Sequence, residues 1–274
     1  MSDFTSDSAS SFASATGQGR GTDGQPSPLV VIAGVSGGIG SALARRLYHA
    51  GWRVSGFARS EAKLSALAQE LPGMDFVVAD ATDAAATEAA VAALTERAGG
   101  KLDGYAHCVG SIMLKSAHLL SLEDWRRTLD LNLNSAFYGL KAAVSRMQAQ
   151  GAGAIVMVSS VAADAGLPSH EAIGAAKAGV EGLVRSAAAS YASRNVRVNA
   201  VAPGLVDTPL AAPLLASPAA RAFSEKMHPL GRIGGADQIA AAMQYLLSAD
   251  ADWVTGQVWA VDGGMGRVRP RPKA

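Results

Sequence analysis

The segment Gly34-Val35-Ser36-Gly37-Gly38-Ile39-Gly40 constrains this chain more than any other. It follows the apolar, β-branched run Leu29–Ala33 and leads into a helical pattern over Ser41–Ala50. Glycines at such a junction let the backbone turn sharply and approach a bulky anion closely, and the free N–H groups of a first helical turn meet its negative charge. A strand, a glycine turn and a helix in that order open a βαβ unit. The segment therefore predicts a cradle for the pyrophosphate of a dinucleotide, built from Gly34, Ser36, Gly38, Ile39 and Gly40.

The rest of the chain extends that unit. Short apolar runs at Arg53–Phe57, Asp75–Ala79, Gly104–Val109, Ala154–Ser159, Val196–Val201 and Val258–Val261 alternate with longer helical patterns. Strands apolar on both faces and separated by helices belong to a parallel sheet covered on both sides. The expectation is α/β: a doubly wound, parallel, seven-stranded sheet of the Rossmann type in a single domain, residues 29–266. Residues 1–28 are rich in Ser, Gly, Thr and Asp, cannot bury enough surface to offset the entropy of ordering, and read as a disordered extension. The basic, proline-containing residues 267–274 read as a flexible tail.

With 24 basic and 23 acidic residues among 274, the charge balance points to neither nucleic acid nor an anionic membrane as partner. No apolar run is long enough for a membrane span, and the first 27 residues lack the layout of a secretory signal. Cys108 is the one cysteine, so no disulfide or cysteine-based metal site forms within the chain. The expected location is cytoplasmic, with no metal.

At the end of the second strand stands Ala58-Arg59-Ser60, where an adenosine ribose would lie. An acid there would favour an unphosphorylated ribose, whereas Arg59 can pair with a 2′-phosphate through a bidentate contact. NADP(H) is favoured over NAD(H) on this ground; the competing reading of Arg59 is a solvated residue at a helix start. Asp80, followed by Ala81, ends the third strand and is placed at the adenine amino group, its alternative being a cap for the helix that begins near Asp83.

Further along come Asn132 in Leu131-Asn132-Leu133, Ser160 after the fifth strand, Lys177, the segment Arg197-Val198-Asn199-Ala200-Val201-Ala202-Pro203-Gly204, Thr208, and Val261-Asp262-Gly263-Gly264. With the glycine loop and Asp80 they stand in an order that, from Leu29 to Gly264, resembles the short-chain dehydrogenase/reductase family. That resemblance implies a nicotinamide-dependent oxidoreductase in which Ser160 polarises a substrate oxygen, Lys177 meets the nicotinamide ribose, and Asn132 serves a water-linked proton path. It also implies that Val109, Gly110, Pro203, Gly204 and Thr208 line the cofactor. The family's proton-donating tyrosine stands four residues before the lysine, and here that position is Ile173. Isoleucine donates no proton.

A second, partial resemblance is to divergent enoyl-thioester reductases, whose tyrosine stands seven residues before the lysine. That position is His170, and His107-Cys108-Val109-Gly110 is similar to their segment after the fourth strand. Histidine titrates near neutrality and can deliver a proton, so His170, or a water it orients, is the candidate donor; its structural alternative is decoration of a helix start. Glu171 reads as a first-turn residue complementing the helix dipole, and Tyr191 as packing or surface. If nothing replaces the tyrosine, the chain is a dinucleotide-binding pseudoenzyme acting as sensor, scaffold or non-catalytic subunit.

Between Thr208 and Gly231 an Ala/Leu-rich stretch, Pro209 to Leu215 followed by Met227 and His228, resembles the family's substrate lid and suits a small, apolar substrate. Ala175, Ala176, Ala178, Gly179 and Gly182 line the helix around Lys177 with small side chains, and the resemblance implies a homodimer or homotetramer through that face; the alternative is close packing onto the chain's own sheet. The reading is thus an NADPH-dependent oxidoreductase that transfers hydride to an activated C=C or C=O, with the pseudoenzyme as its alternative.

Overall fold

Strand β1 (Leu29–Ala33) is buried along its whole length, with Leu29, Val31 and Ala33 facing one core and Val30 and Ile32 the other. A strand with two apolar faces is stable only between two layers, and the computed structural model, which describes residues 27–269, shows both. Beside β1 lie β2 (Arg53–Ala58), β3 (Asp75–Val78), β4 (Gly104–His107), β5 (Gly153–Val158), β6 (Val196–Pro203), the two-residue strands β7 (Val206–Asp207) and β8 (Gly234–Gly235), and β9 (Val258–Val261). The main sheet is seven-stranded and parallel, in the order β3-β2-β1-β4-β5-β6-β9. β7 and β8 pair separately.

Among the described residues eight α-helices complete the layers: α1 (Gly38–His49), α2 (Glu61–Glu70), α3 (Ala84–Arg97), α4 (Leu122–Leu129), α5 (Ser135–Gln150), α6 (Glu171–Tyr191), α7 (Pro218–Met227) and α8 (Ala236–Leu247). One core packs Val31, Tyr105 and Ile155 beneath Val91, Leu94, Met147 and Val184 of α3, α5 and α6. The other packs Ile32, Ala106 and Val156 beneath Leu43, Leu47, Met243 and Leu246 of α1 and α8. Tyr191 packs partly buried against the first core.

The strand order reverses between β1 and β4. At such a switch point successive crossovers leave to opposite sides, and a crevice opens beyond the carboxyl ends of the strands. Gly34 follows β1 into that crevice, and Cys108, Val109 and Gly110 follow β4.

Several boundaries differ from the sequence reading. Helix α1 starts at Gly38, three residues earlier than its hydrophobic pattern, because glycines of weak helix propensity form its first turn. β4 ends at His107 instead of Val109: after Cys108 N–H bonds to the Ala33 carbonyl at 2.9 Å, the chain turns away. Ser27 and Pro28, assigned by composition to the extension, are ordered. Ser27 is buried and its carbonyl accepts from Arg53 Nε at 2.9 Å, while the Pro28 carbonyl accepts from Arg53 N–H. At the other end Val268 N–H donates to the Gly264 carbonyl, which carries the last turn into the segment read as tail. The remainder of both expected flexible ends lies outside the described residues.

Candidate active site

Helices α2, α3, α4 and α7 each begin with a side chain closing the first turn: Ser60, Asp83, Ser121 and Ser217 accept from N–H groups there. Helix α1 begins differently. Its N-cap is Gly37, which has no side chain to donate or accept, and no acidic residue stands in the first turn. The N–H groups of that turn point out of the helix toward the crevice without a built-in anion.

The loop before it is shaped by close approach. Gly34 has φ +73°, a region that glycine adopts without strain, and its N–H donates to the Phe57 carbonyl. A Cβ on Gly40 would overlap the Gly34 carbonyl oxygen, and one on Gly38 would lie 2.7 Å from the Thr208 methyl. A Cβ on Gly34 would lie 3.0 Å from the Val109 side chain. Gly34, Gly38, Gly40, Val109 and Thr208, separated by up to 174 positions in the chain, thus come together around the loop. Ser36 and Ile39 lie on the same loop, half-buried. The loop thus presents close-packed glycine backbone and the free N–H groups of a first helical turn, the features that can receive an anion.

Farther out, Arg59 and Asp80 line a shared groove of about 700 Å³ with Thr82, Arg126, Arg127 and Leu131. Asp80 does not cap α3; Asp83 does, accepting from Ala85 and Ala86 N–H. Asp80 Oδ1 accepts from both the N–H and the hydroxyl of Thr82 at 2.9 Å, and the Thr82 backbone bond, with Arg59 nearby, holds its carboxyl below the usual range. Ala81 beside it is buried. Arg126 and Arg127 were not read from the sequence as groove residues; the signal available was Arg127 standing one helical turn before Leu131.

At the inner end, the segment between α4 and α5, Asp130–Asn134, is a π-turn. Asn132 is buried within it. Its Oδ1 accepts from Ser111 N–H at 3.0 Å, and its Nδ2 donates to the Ser111 hydroxyl and the Thr128 carbonyl, each at 2.9 Å. A Cβ on Gly110 would lie 2.8 Å from Asn132 Oδ1 and 3.4 Å from Lys177 Nζ, so glycine there lets the three elements meet. Lys177, on α6, is buried and donates to the Val158 carbonyl at 2.8 Å. Burial pushes its pKa down to about 8. Cys108 lies close enough to couple to it, and burial pushes that thiol up to about 12.

Ser160 precedes a short 3₁₀ turn and its Oγ accepts from Ala162 N–H at 3.2 Å. Pro203 ends β6 and Gly204 follows, its N–H donating to the Val261 carbonyl. Ile173, where the family resemblance implies a tyrosine, is 5 % exposed. His170 occupies the N-cap position of α6 but its ring caps nothing. Its Nδ1 bonds to the Pro168 carbonyl at 2.8 Å, which puts the ring proton on Nδ1 and leaves Nε2 as the atom that can exchange one. Ser169 before it has φ +61°, held there by Lys115 N–H on its carbonyl and by Ser116 on its hydroxyl. Glu171 accepts from Ala117 N–H at 3.2 Å, so it ties the segment after β4 to the start of α6.

The stretch read as a lid is buried at its start and exposed along α7. Ala211, Leu215 and Ile233 form a small cluster with Ile112 and Leu205. No residue of α7 is buried, and Leu210, Phe223, Met227 and Leu230 present apolar surface. His228 is buried, donating from Nδ1 to the Ser224 carbonyl at 2.7 Å and accepting at Nε2 from Leu205 N–H at 3.1 Å. The small residues of α6 divide: Ala176 is buried and Gly179 packs on Leu133, whereas Ala175 and Ala178 are exposed and Gly182 faces open space. Among the described residues no helix is long and apolar enough to cross a membrane, and no group of three metal-ligating side chains is found.

A family model described as enoyl-(acyl carrier protein) reductase matches residues 34–266. A cis-4-hydroxycyclohexanecarboxylate dehydrogenase of Sinomonas cyclohexanicum is 40 % identical over 243 residues, covering 86 % of this chain and 95 % of that protein. A protein of Xanthobacter autotrophicus named inactive 2-(S)-hydroxypropyl-CoM dehydrogenase 2 is 40 % identical over 228 residues, covering 81 % and 99 %. Among solved structures, a short-chain type dehydrogenase/reductase from Mycobacterium ulcerans superposes with a TM-score of 0.84 at 35 % identity, over 87 % of this chain and 90 % of that one.

Proposed function

The chain belongs to the short-chain dehydrogenase/reductase family, and from that premise we propose that it is an NADPH-dependent reductase of an activated C=C or C=O, with a proton donor other than tyrosine. The observation that carries the reading is the single wall formed by the uncapped α1 turn, Thr208, Val109 and Gly110, with the buried ammonium of Lys177 at its inner end. Gly34, Ser36, Gly38, Ile39 and Gly40 would hold the pyrophosphate, Arg59 the 2′-phosphate, Asp80 and Ala81 the adenine, and Lys177, Pro203 and Gly204 the nicotinamide end. When bound, the reduced nicotinamide supplies a hydride to the electrophilic substrate carbon.

The chain's own groups do the remaining work. The Ser160 hydroxyl holds the substrate oxygen. The Lys177 ammonium biases the site toward groups carrying negative charge, an effect enlarged by its low-dielectric surroundings. His170 Nε2, its ring oriented through Nδ1 by Pro168, delivers the proton directly or through a water. Asn132 keeps Ser111 and Gly110 in place beside the site. The apolar top of the lid favours a small, apolar substrate over a charged one. The outward small residues of α6 suit a homodimer or homotetramer, and the location proposed is cytoplasmic.

A second reading, a dinucleotide-binding protein that performs no chemistry, is favoured by Ile173: a buried aliphatic side chain stands where the family resemblance implies the donor. One experiment separates the two. NADPH oxidation is followed over a panel of enoyl thioesters, enones, quinones and ketones, with NADH alongside, for the wild type and a His170→Phe variant that retains NADPH affinity. Turnover reduced at least tenfold in the variant supports His170 as donor. Equal turnover removes that role, and no turnover by either protein despite NADPH binding supports the second reading.

A further inference from the structure

His107 was weighed above as one half of a resemblance, yet it does not face the cleft. It is buried on β4, on the face that packs against α5. The Ser135 hydroxyl donates to the Leu131 carbonyl at 2.9 Å, so its oxygen is left to accept from His107 Nε2 at 3.1 Å. The ring proton therefore sits on Nε2, and Nδ1 accepts the Tyr105 hydroxyl at 3.3 Å. Burial pushes His107 down to about 3, which keeps the ring neutral. The Tyr105 hydroxyl in turn fits against Gly139, where any Cβ would collide with it.

The chain of bonds ends where the helix changes register. In an α-helix Ser135 N–H would bond to the Leu131 carbonyl, four residues back; here it bonds to Asp130, five back. The Ser135 side chain supplies the Leu131 carbonyl with a hydrogen bond, and His107 holds that hydroxyl in the required direction. Asn132 lies inside the same turn and fixes Ser111 and Gly110. Strand β4 and its loop are thus stitched to the π-turn twice, by His107 and by Ser111, on either side of the residues that line the inner cleft.

We propose that His107 is a positioning residue: acting through Ser135, it selects the π register that places Asn132, and through Asn132 the Gly110–Ser111 backbone, at the reaction centre. This rests on the reductase reading for its kinetic consequence, but not for its structural one.

The test compares His107→Leu, Ser135→Ala, the double variant, His107→Gln, which keeps one acceptor and one donor, and Leu94→Ala, a core change away from the relay. We expect NADPH affinity within twofold of wild type throughout. For His107→Leu and Ser135→Ala, kcat should fall at least tenfold with KM within threefold, the double should be no worse than either single, and His107→Gln should recover to within threefold. Amides of residues 128–136 should exchange with solvent at least tenfold faster in His107→Leu and Ser135→Ala, but not in Leu94→Ala. An active wild type with unchanged kcat in these variants, or an equal loss in Leu94→Ala, overturns the proposal. If the wild type turns over nothing, the reductase reading fails by itself, and unchanged exchange of 128–136 overturns the positioning role.

Discussion

Lys177 illustrates how much a single residue's surroundings decide. Burial brings its pKa from the ordinary 10.5 down to about 8, so its charge is largely present at neutrality and is lost as pH rises through about 8. NADPH affinity is expected to be flat between about pH 7 and 7.5 and to weaken as pH rises past 8, toward tenfold for each further unit if the neutral lysine does not bind. Lys177→Met should bind more weakly throughout and lack that limb; a limb that persists in the variant assigns it to another group. Lys177, Ser160 and Asn132 were assigned from the order of the family motif. His107 was not, because its partners are Tyr105, two residues away on the same strand face, and Ser135, brought over by packing. Strand alternation placed the first on its face; no local pattern pointed to the second.

At the scale of elements, strands were the most readable, since runs apolar on both faces have few alternatives to a covered parallel sheet. Their ends were less so: β4 stops at His107 because the next residues turn toward Asn132, a tertiary demand with no trace in hydrophobic pattern. The first turn of α1 was hidden by the glycines that make it useful. The π-turn left no mark at all, for five-residue and four-residue spacing call on the same side chains. The glycine loop supports a sharp expectation. A methyl on Gly40 would overlap the Gly34 carbonyl oxygen, and that atom is backbone that cannot swing aside. Gly40→Ala should cost about 1–3 kcal/mol of stability, as overpacking does, and weaken NADPH binding by more than its effect on folding explains. Thermal unfolding with and without NADPH measures both; an undisturbed loop would leave affinity intact.

Across the whole molecule, Gly34 after β1, Arg59 after β2, Asp80 after β3, Val109 after β4 and Gly204 after β6 all follow the carboxyl ends of the parallel strands. That edge was foreseeable from strand order alone. What crosses it was not: Thr208, where the stretch read as a lid begins, rests its methyl against the place where Gly38 lacks a side chain. The 208–231 stretch and the floor of the glycine loop meet at that contact. If the dinucleotide lies along that floor as proposed, it would settle the 208–231 stretch before a substrate arrives and would be held until the product has left. The expected consequence is an ordered reaction in which the dinucleotide enters first and leaves last. Oxidised and reduced dinucleotide should then compete at every substrate concentration, and calorimetry should detect no substrate binding until the dinucleotide is present; substrate bound to the bare protein would show the lid and the floor to be independent.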